Sequence, residues 1–162
     1  MNIYEYAMKM EKDSEDYYLE LATKTDNAGL QNILKMLADE EVKHYQILEL
    51  MSKNDPNAEL AETDILRNAK NIFVELRGEN LEFRSDTSQT ELYRYAQDFE
   101  EKSYQFYLQK SNEVENDAQK ELFLKLAEEE KKHMFLMNNL VDFVSRPEIW
   151  LENAEFNHLD DY

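Results

Sequence analysis

The sequence has no cysteine, so it can form neither a disulfide nor a cysteine-ligated iron–sulfur cluster, which fits a reducing compartment. Glycine and proline are scarce, with two of each among 162 residues. Together with abundant glutamate, leucine, lysine and glutamine, this scarcity indicates an almost wholly helical chain. No apolar run approaches the roughly 18 residues that a membrane span needs. The length suits a single helical domain with one core.

Basic residues are also few, with 18 Lys and Arg against 36 Asp and Glu, for a net charge of -18. Such a charge argues against nucleic acid as a partner, because its phosphates would be repelled. It suits metal cations and basic partner proteins, although a strongly solubilising surface explains it equally well. The first residues lack the basic start and apolar run of a signal peptide. We therefore expect a cytoplasmic protein.

Two Glu-x-x-His motifs, Glu41 to His44 and Glu130 to His133, lie 89 residues apart, and two single glutamates, Glu11 and Glu100, repeat the same offset. All lie on stripes whose positions are alternately three and four residues apart, which places them on the core-facing side of helices in a bundle. The stripes are Leu30, Leu34, Leu37, Glu41, His44, Leu48 and Met51; Gln119, Phe123, Leu126, Glu130, His133, Met137 and Leu140; Tyr4, Ala7, Glu11, Ser14, Tyr18 and Leu21; and Tyr93, Ala96, Glu100, Ser103, Tyr107 and Lys110.

This internal repeat predicts a duplicated helix pair, and therefore an all-α four-helix bundle over residues 1–145. The repeat halves are 2–52 and 89–145, with helices expected at about 2–25, 28–52, 89–114 and 117–145. Asn27 and Asn116 are the predicted N-caps of the second helix of each half, and Ser88 begins a capping box for the third helix of the bundle.

The long connection over residues 53–88 suits a crossover from one end of the bundle to the other. Within it, residues 64–76 read as a short helix, with Ile65, Ala69, Ile72 and Leu76 inward. Residues 146–162 form a C-terminal extension in which another short helix packs Trp150 on the bundle or on a second subunit.

Buried ionised carboxylates require compensation, because an unpaired one costs several kcal/mol or more and four together repel one another. Two divalent cations would balance the four predicted core glutamates, with two imidazoles completing the coordination. The alternative for each Glu-x-x-His is an exposed i,i+3 pair in a glutamate-rich chain. The matching registers and apolar flanks favour a dinuclear metal site made by six residues: Glu11, Glu41, His44, Glu100, Glu130 and His133.

Other polar residues near these motifs are assigned lesser roles. Tyr18 and Tyr107 either pack in the core or donate hydrogen bonds to the metal-bound carboxylates. We expect five further glutamates and one histidine to be solvated, with at most one of the first three orienting a histidine: Glu40, Glu128, Glu129, Glu15, Glu101 and His158.

The pattern of one Glu from each of two helices and Glu-x-x-His from each of the other two resembles the ferritin-like di-iron carboxylate bundles. Within that superfamily the chain most resembles the rubrerythrins, over about residues 3–140. The resemblance rests on Met10-Glu11-Lys12-Asp13-Ser14 before Tyr17-Tyr18, on Phe99-Glu100-Glu101-Lys102-Ser103 before Phe106-Tyr107, and on both Glu-Glu-x-x-His segments.

The resemblance implies a ferritin-like bundle that holds two iron ions per chain and reduces hydrogen peroxide to water. It implies Glu41 and Glu130 as bridging ligands, Glu11 and Glu100 as terminal carboxylates, and His44 and His133 as terminal nitrogens. Ligand hardness suits iron or manganese, although zinc binds such sites well in isolated proteins.

The chain departs from the best-known rubrerythrins in two ways. It lacks their cysteine-containing rubredoxin module, so its electrons are expected from an external donor such as a rubredoxin-like protein. It also has Ser103 where those proteins carry a seventh carboxylate that takes part in redox-linked iron movement.

Two other functions fit the same residues. One is a ferroxidase or iron-handling protein that uses dioxygen, and the other is a non-enzymatic binding module whose metals only stabilise the fold. Because the halves are alike and joined by a long crossover, we also expect a homodimer, with domain swapping as one route to it.

Overall fold

The computed structural model describes residues 1–78, 87–152, 159, 160 and 162, and within these ranges it contains helices and no strand. The helices are α1 (Ile3–Thr23), α2 (Ala28–Ser52), α3 (Ile65–Gly78), α4 (Thr87–Glu113), α5 (Asp117–Ser145) and α6 (Pro147–Glu152). The predicted all-α ferritin-like bundle is confirmed.

The second helix of each half begins in the same way. Asn27 accepts a hydrogen bond from the Leu30 N–H at 3.0 Å, and Asn116 accepts one from the Gln119 N–H at 2.9 Å. Both predicted N-caps are therefore confirmed, and each satisfies a backbone donor that the helix itself leaves unpaired. The predicted cap Ser88 is wrong: α4 already begins at Thr87, and an N-cap residue has a non-helical backbone.

The bundle consists of two helix pairs connected by short turns. In the described residues α1 packs mainly on α2, and α4 packs mainly on α5, while α1 contacts α4 and α2 contacts α5 across the bundle. This arrangement places the core-facing stripes of all four long helices around one common interior.

The crossover helix α3 lies on α2, and its buried residues are Ile65, Ala69, Phe73 and Leu76. The predicted inward residue Ile72 is partly buried and packs against the core, while its neighbour Phe73, which was not predicted, is fully buried. The stripe follows steps of four, four and three residues, which brings Phe73 to the core and leaves Ile72 at the edge. Ile72 packs there against Gly29 of α2, where an added Cβ would lie 3.0 Å from Ile72 Cγ2.

The helix α6 packs on the bundle of its own chain through the fully buried Trp150. The Trp150 ring lies 4.5 Å from Phe73 and 5.5 Å from Phe143, measured between ring centroids. The end of the predicted C-terminal helix, and His158, lie outside the described residues. No helix in the described ranges has the length and apolar character needed to cross a membrane.

Candidate metal centre

The structure brings all six predicted ligands together inside the bundle. Helices α1 and α4 each contribute one glutamate, and α2 and α5 each contribute a glutamate and a histidine. Their exposed fractions are 0–1%, for Glu11, Glu41, His44, Glu100, Glu130 and His133. The heptad spacing explains this convergence, because it directs these side chains to the same interior as the leucines around them.

The six residues form two groups of four that share two members. One group is Glu11, Glu41, His44 and Glu130, and the other is Glu41, Glu100, Glu130 and His133. Within each group the candidate ligand atoms all lie within 4.8 Å of one another. Since Glu41 and Glu130 belong to both groups, their carboxylates lie between two adjacent candidate cation positions.

The histidines occupy equivalent places in the two halves. His44 Nδ1 lies 3.0 Å from Glu130 Oε1 and 3.5 Å from Glu11 Oε2. His133 Nδ1 lies 3.0 Å from Glu41 Oε1 and 3.7 Å from Glu100 Oε1. Each histidine thus directs Nδ1 toward the shared glutamate of the opposite half, which reproduces the sequence repeat as an approximate twofold arrangement of side chains.

Two buried tyrosines hold the single glutamates from across the bundle. The Tyr18 hydroxyl of α1 donates to Glu100 Oε1, and the Tyr107 hydroxyl of α4 donates to Glu11 Oε1. Burial, reinforced by the nearby carboxylate charges, raises the pKa of both hydroxyls well above the ordinary value, so they remain protonated donors. The tyrosines therefore pack in the core and also orient a carboxylate.

The prediction that Glu40 and Glu129 are solvated is wrong. Their exposed fractions are 6% and 5%, because the packing of α2 on α5 and residue Thr63 of the crossover cover them. Each also faces a histidine of the other half: Glu129 Oε1 lies 3.2 Å from His44 Nε2, and Glu40 Oε1 lies 3.7 Å from His133 Nε2. The sequence analysis allowed at most one of these glutamates to orient a histidine, and it missed that both are buried beside one.

A sequence signal for these two glutamates exists. Glu40 and Glu129 are 89 residues apart, as the ligands are, and each lies four residues before a histidine. Glu128 and Glu101 are exposed, as predicted, while Glu15 is partly buried and pairs with Lys12 at 3.1 Å.

The donor set fits cations. Among the described residues, four buried side-chain atoms of the centre have no hydrogen-bond partner: Glu11 Oε2, Glu100 Oε2, Glu130 Oε2 and His133 Nε2. Three of them are carboxylate oxygens, whose burial without a partner is costly. A cation in each group would compensate these oxygens, and four carboxylates with two imidazoles match the preferences of iron and manganese.

Without cations, protons balance the charge of the centre. Burial, followed by repulsion from the neighbouring glutamates, raises the pKa of Glu41 and Glu130 well above the ordinary value. Burial acts in the same direction on Glu11, but the neighbouring Glu41 and the charge of His44 outweigh it and lower the pKa of Glu11 to about 2. The pKa of Glu100 is also lowered, because the neighbouring Glu130 and His133 outweigh the effect of burial.

The histidines hold the compensating charge. Burial alone would lower the pKa of His44 and His133, but the surrounding carboxylates raise it well above the ordinary value. In the metal-free centre these shifts favour the protonated forms of Glu41, Glu130, His44 and His133 and the ionised forms of Glu11 and Glu100.

The rubrerythrin family model matches residues 2–141. The chain belongs to the rubrerythrin family. The match includes every helix that contributes to the centre and ends four residues before the end of α5. No curated protein and no solved structure matches the chain. Rubrerythrins are di-iron carboxylate proteins, and the buried carboxylate and histidine groups of this family member fit that class of site.

Proposed function

We propose that the chain is a non-haem di-iron peroxidase that reduces hydrogen peroxide to water with electrons from an external donor. The observation that carries this proposal is the pair of four-residue groups that share Glu41 and Glu130. Two ferrous ions held by these groups would supply the two electrons that cleavage of one O–O bond consumes. With two protons, each peroxide yields two waters.

Each side chain has a defined task in this proposal. Glu11 and His44 would hold one ion, Glu100 and His133 the other, and Glu41 and Glu130 would contact both. The Tyr18 and Tyr107 hydroxyls fix the single carboxylates by hydrogen bonds, so that these side chains need not reorganise when the ions bind.

The apolar residues around the centre strengthen the attraction between its carboxylates and a cation. Four apolar neighbours on the α2 and α5 stripes have no exposed surface: Leu37, Leu48, Leu126 and Met137. They exclude water on both sides of the ligands along these helices. In such a low-dielectric interior, carboxylates attract cations more strongly than they do at a surface.

The first test compares two oxidants. The anaerobic diferrous protein should be oxidised faster by hydrogen peroxide than by dioxygen in stopped-flow mixing, with about one peroxide consumed per pair of ferrous ions. The exposed-site variant Glu101→Gln is the control and should behave as the wild type. Faster oxidation by dioxygen would support the ferroxidase function instead, and bound metal that undergoes no redox cycling would support the metal-stabilised binding module.

The electron donor belongs to the same proposal. Because the chain contains no cysteine, it offers no thiolate ligands for a rubredoxin-type iron. We therefore propose a rubredoxin-like partner, and continuous peroxide turnover should require such a donor together with its reductase.

We also propose that the chain forms a homodimer in the cytoplasm. Two similar halves joined by a long crossover allow helices to be exchanged between chains while the same centre is rebuilt. Sedimentation velocity at micromolar protein concentration should show a single dimeric species. A monomer under these conditions would contradict the assembly proposal and leave the metal centre, which one chain completes, unaffected.

A further inference from the structure

One residue of the crossover contacts carboxylates on two different bundle helices. Thr63 lies two residues before α3, where it is partly buried. Its hydroxyl donates to Glu40 Oε1 of α2, and its backbone N–H donates to Glu129 Oε2 of α5 at 3.0 Å. Thr63 therefore links the crossover to both halves of the repeat at the level of the metal centre.

The two carboxylates that Thr63 holds face the outer nitrogens of the predicted histidine ligands. Glu129 Oε1 accepts from His44 Nε2 at 3.2 Å, and Glu40 Oε1 lies 3.7 Å from His133 Nε2. In both rings the other nitrogen, Nδ1, points toward the glutamates of the centre. A carboxylate bonded to the outer nitrogen, as Glu129 is to His44, fixes the tautomer and the ring orientation of a ligating histidine. Glu40 faces His133 Nε2, which has no hydrogen-bond partner, from the equivalent position.

Thr63 is itself held in place. Its hydroxyl oxygen accepts a hydrogen bond from the Ile65 N–H at 3.1 Å, which satisfies a donor at the start of α3. Ile65 is buried, and α3 is anchored further along by Phe73 against Trp150. The position of the Thr63 donors is thus set by a packed helix.

The contact lies in the lining of a cavity. A cavity of about 560 Å³ lies between the crossover and α2, and its lining includes Glu40, Thr63 and Glu129. If the Thr63 hydroxyl were removed, Glu40 would keep Lys43, at 3.4 Å, as a partner on its own helix. Glu40 would then be free to turn toward the cavity and away from His133.

We propose that Thr63 is a positioning residue that orients both histidine ligands through Glu40 and Glu129. The inference rests on the proposed metal binding and adds to it a contribution from the crossover, which supplies no ligand itself. Loss of a carboxylate partner of a ligating histidine typically weakens metal binding by about 10- to 100-fold, and Thr63 acts through two such carboxylates.

The test is a cobalt titration of the metal-free full chain, using Co²⁺ alone in competition with a chelator. Thr63→Val keeps the shape and the backbone N–H but removes the hydroxyl, and it should weaken binding of at least one ion by about tenfold. Thr63→Ser, which keeps both donors, should restore wild-type affinity. Thr25→Val is the matched control, because the buried Thr25 hydroxyl bonds Leu21 O and the Tyr93 hydroxyl instead.

Fluorescence of Trp150, the single tryptophan, reports whether α3 stays docked, because its ring contacts Phe73. Weaker cobalt binding by Thr63→Val with unchanged emission and rescue by serine supports the proposal. Wild-type cobalt affinity in Thr63→Val, or weakening accompanied by the emission shift of an undocked α3, overturns it. If the wild type itself binds no cobalt, the metal site fails and the positioning role fails with it.

Discussion

The affinity of the metal-free chain for divalent cations should rise by about 100-fold per ion for each pH unit between about pH 5 and 6.5. Before cations bind, protons occupy four of the candidate ligands. Glu41, Glu130, His44 and His133 all have a pKa raised well above its ordinary value. All four must lose a proton to act as ligands, which amounts to about two protons per ion.

Protons and cations compete for the same side-chain atoms, and this competition sets how metal affinity changes with pH. A group whose pKa is raised keeps its proton until the pH rises past that pKa, so proton competition weakens as the pH increases. The affinity therefore climbs with pH and becomes constant once the pH exceeds the raised values. Glu11 and Glu100 add nothing to this slope near neutral pH, because their pKa values are lowered and they are already ionised.

Isothermal titration calorimetry in two buffers of different ionisation enthalpy measures the proton count directly. Binding of two cations at pH 6 should release about four protons per chain. Glu128→Gln should release the same number, since Glu128 is exposed. Release of one proton or fewer, with an affinity independent of pH, would show that the centre does not store protons in place of metal.

The same charge balance explains why a strongly acidic chain tolerates four glutamates in its core. The raised pKa values of His44 and His133 favour imidazolium ions that offset the ionised Glu11 and Glu100, and those of Glu41 and Glu130 favour neutral carboxyl groups. Metal binding then exchanges protons for cations and leaves the net charge of the interior unchanged. Protons thus reduce the cost of burying the four glutamates when no metal is bound.

The six candidate ligands were predictable from the sequence because two independent periodicities agree on them. The heptad spacing places Glu41 and His44 on the same face as the buried leucines, and the offset of 89 residues repeats that face in the second half. The caps Asn27 and Asn116 were predictable for a similar reason, since capping depends on residues only three positions apart.

The burial of Glu40 and Glu129 could not be predicted from the heptad spacing. Glu40 and Glu129 lie one position off the core-facing stripe, where a helix considered alone directs a side chain toward solvent. Their burial depends on how closely α2 approaches α5 and on Thr63, which is far from Glu129 in sequence. Such contacts are set by tertiary packing. In α3, packing likewise buries Phe73 more deeply than Ile72.

The shared glutamates should matter more for metal content than any other ligand. Glu130→Gln removes an anionic ligand from both groups of four, whereas Glu11→Gln removes one from a single group. Loss of an outer partner alone costs about 10- to 100-fold in affinity, so loss of a shared ligand should exceed about 100-fold. Under conditions that saturate the wild type, we expect Glu130→Gln to retain almost no metal and Glu11→Gln to retain about half.

The glutamine substitution separates this effect from loss of folding. Burial and the neighbouring carboxylates raise the pKa of Glu130 and favour its protonated form, and a glutamine has nearly the same size and charge as that form. The metal-free variant should therefore melt within a few degrees of the metal-free wild type in circular dichroism. Glu128→Gln, an exposed neighbour on α5, is the control and should bind metal as the wild type does. Equal metal content in the Glu130, Glu11 and Glu128 variants would mean that the buried groups are not the binding site.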